Sequence, residues 1–151
     1  MARQGQEDAY YHRAKKEGYA ARSVYKLEEI DRRYKLLRRG QKVLDLGCHP
    51  GSWMQYAAKK VGPKGLVVGV DLKPPTVELP GHARFVQSDL LTIGPESLRE
   101  LAPAYDLVIS DAAPKTTGVK GSDVIRSLEL TTAAVELGLA LLKPGGSLVA
   151  K

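Results

Sequence analysis

Residues 42–53, with the sequence KVLDLGCHPGSW, decide the fold of this chain. The apolar residues on either side of Asp45 form a run that is typical of a short strand buried on both faces. Gly47 and Gly51 bracket the turn that follows, where the backbone can approach a ligand closely. In open parallel α/β sheets, ligands bind beyond the carboxyl ends of the strands. The stretch therefore predicts a strand, a tight turn and a helix start, with a cofactor at the turn; the alternative is an ordinary strand-to-helix turn.

Asp45 indicates the charge of that cofactor. A pyrophosphate-binding turn has the pattern G-x-G-x-x-G without a fixed carboxylate, whereas this turn has D-x-G-x-x-P-G. A carboxylate beside the turn favours a ligand with positive charge, and the missing pattern argues against a nicotinamide-dependent oxidoreductase. S-adenosylmethionine carries both a sulfonium and an ammonium group, so we predict it as the cofactor.

The rest of the chain alternates strands with helices. Further strands are predicted at 66–71, 83–89, 105–111 and 147–151, and helices at 23–34, 52–60, 95–101 and 124–142. This alternation predicts an α/β fold with a parallel sheet and right-handed crossovers. Ser23 is the expected N-cap of the first helix. The last helix is expected to bury one apolar side, formed by Leu128, Val135, Leu139 and Leu142.

Four predicted strands carry an aspartate at or near the carboxyl end, namely Asp45, Asp71, Asp89 and Asp111. Because these ends meet at one edge of a parallel sheet, we predict a shared acidic crevice there, which suits a cationic cofactor. Asp71 follows the glycine turn by about twenty residues, where a carboxylate can accept hydrogen bonds from both ribose hydroxyls. A role in a turn or a helix cap is the alternative for Asp71. Asp89 is expected to reach the adenine side of the crevice.

Composition limits the class of protein. The chain has 151 residues, 43% of them hydrophobic, which is enough for one domain with a substantial core. Its formal net charge of +6 points to a polyanionic partner, with nucleic acid as the leading candidate. A single cysteine, Cys48, excludes an internal disulfide, and the three histidines show no metal-ligand spacing, so no metal site is expected. Without an apolar signal core or membrane span in the sequence, we expect a cytoplasmic protein.

Residues 1–21 are polar and basic, and we interpret them as a mobile N-terminal arm. Basic side chains can neutralise phosphates while tyrosines stack on bases, a mixture that suits an irregular RNA surface. A solvated disordered tail is the equal alternative. The polar loop at 115–123 is a second candidate contact with a phosphate backbone, or merely a solvated connection. The candidate RNA-binding residues are Arg13, Lys15, Lys16, Arg22, Lys26 and Lys115, and the tyrosines of the arm region are Tyr10, Tyr11 and Tyr19.

With these residues described, the chain resembles the FtsJ/RrmJ family of ribosomal RNA large-subunit ribose 2'-O-methyltransferases from about residue 22 to residue 151. The early Tyr-Lys-Leu helix combined with Ser-Asp-x-Ala-Pro is particular to that family, whereas D-x-G occurs in many methyltransferases. The matching blocks are RSVYKL at 22–27, DLGCHPGSW at 45–53, GVDL at 69–72, SDAAP at 110–114 and PGG at 144–146 running on to Lys151.

The resemblance implies a Rossmann-like class I S-adenosylmethionine-dependent methyltransferase fold, a parallel sheet with helices on both faces, formed by residues 22–151. It implies that the chain methylates the ribose of a uridine in large-subunit (23S) ribosomal RNA. The cofactor site would contain Gly51, Trp53, Asp71, Asp89 and Asp111, in addition to Asp45 and Gly47 of the turn.

The resemblance also assigns Lys26, Asp111 and Lys151 to the Lys-Asp-Lys-Glu catalytic group of the family. A ribose hydroxyl is a poor nucleophile until its proton is removed, and a lysine can remove it only when its pKa is lowered. A second lysine nearby disfavours the charged form. In this assignment Lys151 is the base, Lys26 its electrostatic neighbour and Asp111 the bridge to the cofactor.

Departures from the family pattern keep other functions open. His49 and Ser52 occupy positions where smaller residues are usual, so cofactor affinity could differ. The catalytic glutamate and last two strands of the family would follow Lys151, so the resemblance implies a chain truncated at its C-terminus. One alternative is a silent RNA-binding module that assists ribosome assembly; another is a methyltransferase that acts on tRNA or another RNA. We expect a monomer.

Overall fold

The structure is a computed structural model that describes residues 2–112 and 117–151. Within these two ranges, no helix is long and apolar enough to cross a membrane. The elements in chain order are α1 (Ala2–Glu17), α2 (Val24–Tyr34), β1 (Lys42–Leu46), α3 (Ser52–Val61), β2 (Leu66–Asp71), β3 (Ala83–Gln87), α4 (Pro95–Arg99), β4 (Tyr105–Ser110), α5 (Lys120–Leu141) and β5 (Leu142–Ala150).

The strands form one parallel sheet in the order β3-β2-β1-β4-β5, which confirms the predicted architecture. Strand β1 lies in the centre, and its last residue, Leu46, is in register with Val70 of β2 and Ser110 of β4. The carboxyl ends of these three strands therefore lie side by side at one edge of the sheet.

Helices cover both faces of the sheet, because alternate strand residues point to opposite sides. On one face, Val43 packs in a core with Trp53 and Met54 of α3. On the other face, Leu44 packs in a second core with Leu137 of α5. Burial on both faces explains why the three inner strands, β2, β1 and β4, are short, nearly continuous apolar runs.

Helix α1 replaces the mobile arm that the sequence predicted. Ala14 of α1 is buried, and the ring of Tyr10 stacks on that of Tyr25 in α2 with 5.4 Å between ring centroids. The guanidinium of Arg13 lies 4.2 Å from the centre of the Tyr25 ring. The structure thus differs from an arm without fixed structure, whereas the division of the chain at residue 22 remains a prediction.

Helix α5 buries a different side from the predicted one. Leu128 and Leu139 are 61% and 63% exposed, whereas Ala134, Leu137, Gly138 and Leu141 are buried. The physical reason is the close approach of the helix to the sheet at Gly138, where a Cβ atom would lie 2.8 Å from Leu148 Cδ1. Gly138 therefore lies against the sheet on the same side as the buried Ala134, Leu137 and Leu141, whereas Leu128 and Leu139 face outward.

Two local predictions also differ from the structure. Among the described residues, the Ser23 side chain makes no N-cap hydrogen bond; its Oγ lies 3.3 Å from Ser52 Oγ at the start of α3. Strand β5 begins at Leu142, and its pairing with β4 is irregular up to Ser147, the residue at which the sequence predicted the strand to begin.

Candidate active site

A cleft of about 480 Å³ opens at the carboxyl edge of the sheet, as predicted from the strand-terminal acids. Three of these acids, Asp71, Asp89 and Asp111, line it. The remaining lining residues are Gly47, His49, Leu72, Lys73, Ser88, Leu90, Ala112 and Leu130. The cleft thus combines carboxylates with apolar side chains, which suits a ligand with a cationic part and a flat apolar part.

Asp71 and Asp89 each hold a turn at the edge of the cleft. The carboxylate of Asp71 accepts hydrogen bonds from the backbone N–H groups of His49 (2.9 Å) and Lys73 (3.2 Å). Asp89 Oδ1 accepts one from the N–H of Leu91 at 2.9 Å. A carboxylate has about four acceptor positions. Each carboxylate therefore holds a turn, which was the alternative role predicted for Asp71, and still has acceptor positions available for a ligand in the cleft.

Asp45 lies beneath this edge and is only 1% exposed. Within the part of the chain that the structure describes, its Oδ2 atom has no hydrogen-bond partner. Burial first, and then the charges of Asp111 and Asp71, raise the pKa of Asp45 well above its usual range. A buried acceptor without a donor is costly unless a donor or a cation reaches it. Its environment therefore fits the cationic end of S-adenosylmethionine.

The two glycines of the turn have different surroundings. Gly47 has φ +81°, and a Cβ atom there would lie 2.7 Å from Ala112 Cβ, so no larger residue fits beside the cleft. Gly51 has φ +109° and precedes α3; a Cβ atom there would lie 3.0 Å from Pro75 Cβ. Gly47 thus lines the cleft, whereas Gly51 lets the turn pack against the loop after β2.

Trp53 joins α3 to α2. Its side chain is 5% exposed, and its Nε1–H donates a hydrogen bond to the backbone oxygen of Ser23 at 2.9 Å. The same oxygen accepts the N–H of Lys26 at 3.1 Å. Trp53 also lines a small pocket that it shares with Asp45 and Asp111, rather than the main cleft. These contacts show that Trp53 positions the first turn of α2, and contact with a cofactor remains a prediction.

The structure brings together the three predicted catalytic residues. Ser110 is paired with Ala150 in the sheet, so Asp111 and Lys151 follow in equivalent positions. The backbone N–H of Lys151 donates to the oxygen of Ser110 at 3.0 Å, and Lys151 Nζ lies 3.4 Å from Asp111 Oδ1. Lys26 reaches the same place from the first turn of α2, where its amino group interacts with that of Lys151.

The two lysines differ in the direction of their pKa shifts. The nearby Lys151 amine, followed by partial burial, lowers the pKa of Lys26. The nearby Lys26 amine, followed by the charge of Asp111, raises the pKa of Lys151. These opposite directions favour one neutral and one charged amine in the pair. Which of the two lysines acts as the base, assigned to Lys151 from the sequence, remains a prediction.

The predicted RNA-binding residues lie in different environments. Arg13 forms ion pairs with Glu17 (2.8 Å) and Glu28 (3.5 Å), so its charge already has partners within the fold. Lys15 and Lys16 are exposed on α1, and Arg22 is 3.8 Å from Glu7. Lys115 lies outside the described residues.

Besides His49, six lining residues of the cleft were not among the predicted site residues, namely Leu72, Lys73, Ser88, Leu90, Ala112 and Leu130. Ser88 and Ala112 each adjoin a predicted acid, so extending the strand-end prediction by one residue would have found them. Leu130 reaches the cleft from α5, and no local pattern in the sequence indicates this contact.

Comparison with known proteins identifies the family of the chain. The family profile described as FtsJ-like methyltransferase matches residues 19–151. Two proteins named ribosomal RNA large subunit methyltransferase E are similar to 95% of the chain: that of Desulfatibacillum aliphaticivorans is 49% identical over 144 residues, and that of Sorangium cellulosum is 53% identical over 144 residues. The chain covers 70% and 68% of their lengths, respectively.

Solved structures show the same fold. A crystal structure from Plasmodium falciparum, described as a ribosomal RNA methyltransferase, is 29% identical with a TM-score of 0.75, covering 87% of this chain and 77% of that chain. A short chain dehydrogenase from Leptospira borgpetersenii with bound NAD+ is 18% identical with a TM-score of 0.57, covering 76% of this chain and 52% of its own. At 18% identity the second likeness shows the fold alone. The chain belongs to the FtsJ-like methyltransferase family.

Proposed function

We propose that this chain transfers a methyl group from S-adenosylmethionine to the 2'-hydroxyl of a uridine ribose in large-subunit ribosomal RNA. The observation that carries the proposal is the meeting of Lys26, Asp111 and Lys151 at the rim of an acidic cleft. The two relatives named ribosomal RNA large subunit methyltransferase E support the choice of substrate. Residues 22–151 would form the methyltransferase unit.

Each acid at the sheet edge would contact a different part of the cofactor. Asp71 would accept hydrogen bonds from the ribose hydroxyls of S-adenosylmethionine, and Asp89 lies on the side proposed for adenine. Asp45 and Asp111 would face its cationic end, because the buried Asp45 carboxyl has an acceptor atom with no donor among the described residues. When bound, the cofactor supplies a methyl group on a positively charged sulfur.

The lysine pair would remove the proton from the ribose hydroxyl. A neutral Lys26 has a lone pair for this proton, while charged Lys151 holds Asp111 by an ion pair and repels a second positive charge on Lys26. A positioned general base contributes about 10²- to 10⁴-fold to a rate. The backbone of Lys151 is bonded to Ser110 at the sheet edge, and that of Lys26 to the Ser23 oxygen that also accepts the Trp53 indole, so both lysines would start from fixed positions when they act on the hydroxyl.

Mass spectrometry of nucleosides tests this function. The chain is incubated with methyl-labelled S-adenosylmethionine and unmodified large-subunit ribosomal RNA, and the RNA is then digested to nucleosides. We expect labelled 2'-O-methyluridine from the wild type and none from Lys26→Met, which keeps the length of the side chain without its amine. Lys64→Met, at an exposed lysine after α3, is the matched control and should retain activity. Label in a base, or cofactor binding without any label in RNA, would contradict the proposal; the second result would favour a silent binding module.

A further inference from the structure

A second groove, of about 240 Å³, lies between α1 and α2 and opens beside the active site. Arg3, Gln6 and Tyr10 line it from α1, and Arg22 and Lys26 line it from the other side. Lys26 belongs to both the groove and the catalytic group. A ligand that fills this groove is therefore adjacent to the proton that Lys26 would remove.

The groove contains an aromatic ring that is supported from below. Tyr10 is 39% exposed and stacks on Tyr25 with an interplanar angle of 26°. Tyr25 is itself buried, and its hydroxyl donates to Glu17 at 2.9 Å. Tyr10 thus has a rigid support, which limits the entropy lost when a ligand stacks on it. Stacking of a nucleobase on such a ring is worth about 1–3 kcal/mol.

The charges of the groove suit one phosphate beside that base. Arg22 pairs with Glu7 at 3.8 Å, and both side chains are about half exposed, at 49% and 53%. An exposed ion pair at this distance contributes little to stability. A phosphate can replace Glu7 by a shorter, two-pronged contact with the guanidinium. Arg3 lies in the same groove and adds a second cation, while Glu29 lines it as a second carboxylate beside Glu7.

From these observations we infer that the α1/α2 groove binds the nucleotide next to the methylated uridine, with its base on Tyr10 and its phosphate at Arg3 and Arg22. The inference rests on the proposed function for the identity of the RNA. The family match begins at residue 19, so α1 contributes to the groove from outside the matched region. The groove accommodates a single base, and a single-stranded segment of RNA is the ligand that it fits.

Fluorescence anisotropy with two RNA oligonucleotides tests the inference. Both contain a central uridine; one has normal nucleotides on each side, and the other has abasic riboses there. Tyr10→Ala should weaken binding of the normal RNA about 5- to 100-fold, in line with the loss of one stacked base, and change binding of the abasic RNA less than about 2-fold. Tyr11→Ala is the control: it removes a neighbouring exposed ring of α1 that is not among the residues lining the groove, so it should change the affinity for neither RNA.

Two results would overturn the inference. If Tyr10→Ala lost the same affinity for both RNAs, Tyr10 would act only by holding α1 in place. If the wild type did not bind the normal RNA, single-stranded RNA would not be the ligand of the groove. Arg3→Gln gives a second measurement: it should reduce the slope of log affinity against log salt by about 0.7, and an unchanged slope would exclude its phosphate contact. Because these assays measure binding alone, their outcome is independent of whether methylated uridine is formed.

Discussion

Two buried aspartates with similar exposure have opposite surroundings. Asp31, in α2, is 6% exposed, and its carboxylate accepts hydrogen bonds from the Leu37 N–H (2.8 Å) and the Tyr56 hydroxyl (2.9 Å). Asp45, at the end of β1, is 1% exposed, and its Oδ2 atom meets no donor among residues 2–112 and 117–151. The first carboxylate holds the end of α2 against α3. The second is retained at an energetic cost, as is common where a residue serves a ligand rather than the fold.

The difference separates residues that fix the site from residues that act in it. Asp31, Trp53 and Ser23 fix α2 against α3, and so place Lys26. Asp45, Asp71 and Asp111 present carboxylates at the sheet edge. Replacing a member of the first group should cost stability, and replacing a member of the second should cost binding or chemistry.

The largest effect is expected for the lysine pair. Lys26→Arg keeps the positive charge but removes the neutral amine, so kcat should fall by about 10²- to 10⁴-fold with cofactor affinity unchanged. Lys151→Arg keeps a cation beside Asp111 and should retain more activity than Lys26→Arg. Single-turnover methylation with both variants measures this difference. A smaller loss in Lys26→Arg than in Lys151→Arg would identify Lys151 as the base instead.

Asp31→Ala should produce the next largest effect, on stability. The change leaves two buried donors without an acceptor, and we expect a loss of about 2–4 kcal/mol in the free energy of unfolding. Urea unfolding measures this value, and Tyr56→Phe serves as control because it removes one donor and keeps the Leu37 bond, so its cost should be lower. An unchanged free energy of unfolding in Asp31→Ala would show that the Asp31 carboxylate does not stabilise the packing of α2 against α3.

Asp45→Asn should have the opposite sign, and its effect should depend on pH. Because the folded pKa of Asp45 is raised, the folded wild type holds a proton that the unfolded chain has lost. The stabilisation that this proton gives to the folded state is complete at acidic pH and is lost as the pH rises through the folded pKa of Asp45, at up to about 1.4 kcal/mol per pH unit. Asp45→Asn lacks this loss, so it should become the more stable protein as pH rises, while binding S-adenosylmethionine more weakly. If the free energy of unfolding changed with pH in the same way for both proteins, the pKa of Asp45 would not be raised in the folded state.

The smallest effect is expected on α1. The double substitution Lys15→Ala with Lys16→Ala removes two exposed cations and should lower the salt slope of RNA binding by about 1.4 without changing Tm. Arg13→Ala removes the contacts to Glu17, Glu28 and Tyr25, so it should lower Tm. Filter binding and thermal unfolding separate the two. An unchanged salt slope in the double variant would show that this side of α1 does not contact RNA.

Much of this arrangement follows from local sequence. The strands were predictable because burial on both faces requires short apolar runs, and the acids at their ends converge once the sheet is parallel. The meeting of Lys26, Asp111 and Lys151 was implied by family resemblance rather than by spacing. Three features depend on contacts between residues far apart in the chain, so no local pattern predicts them. Helix α1 is polar on most sides and is held by the stacking of Tyr10 on Tyr25. The buried side of α5 depends on the contact of Gly138 with Leu148, and the Trp53 indole donates to an oxygen thirty residues earlier.

Titration calorimetry of S-adenosylmethionine into the wild type and Asp71→Asn tests whether the acidic sheet edge is the cofactor site. We expect binding to the wild type and a loss of about 10- to 100-fold in affinity for Asp71→Asn, corresponding to a hydrogen bond with a charged acceptor. Glu78→Gln, at an exposed acid in the same loop, should bind like the wild type and controls for net charge. Equal Kd values for Asp71→Asn and the wild type would contradict the assignment of the acidic sheet edge as the cofactor site.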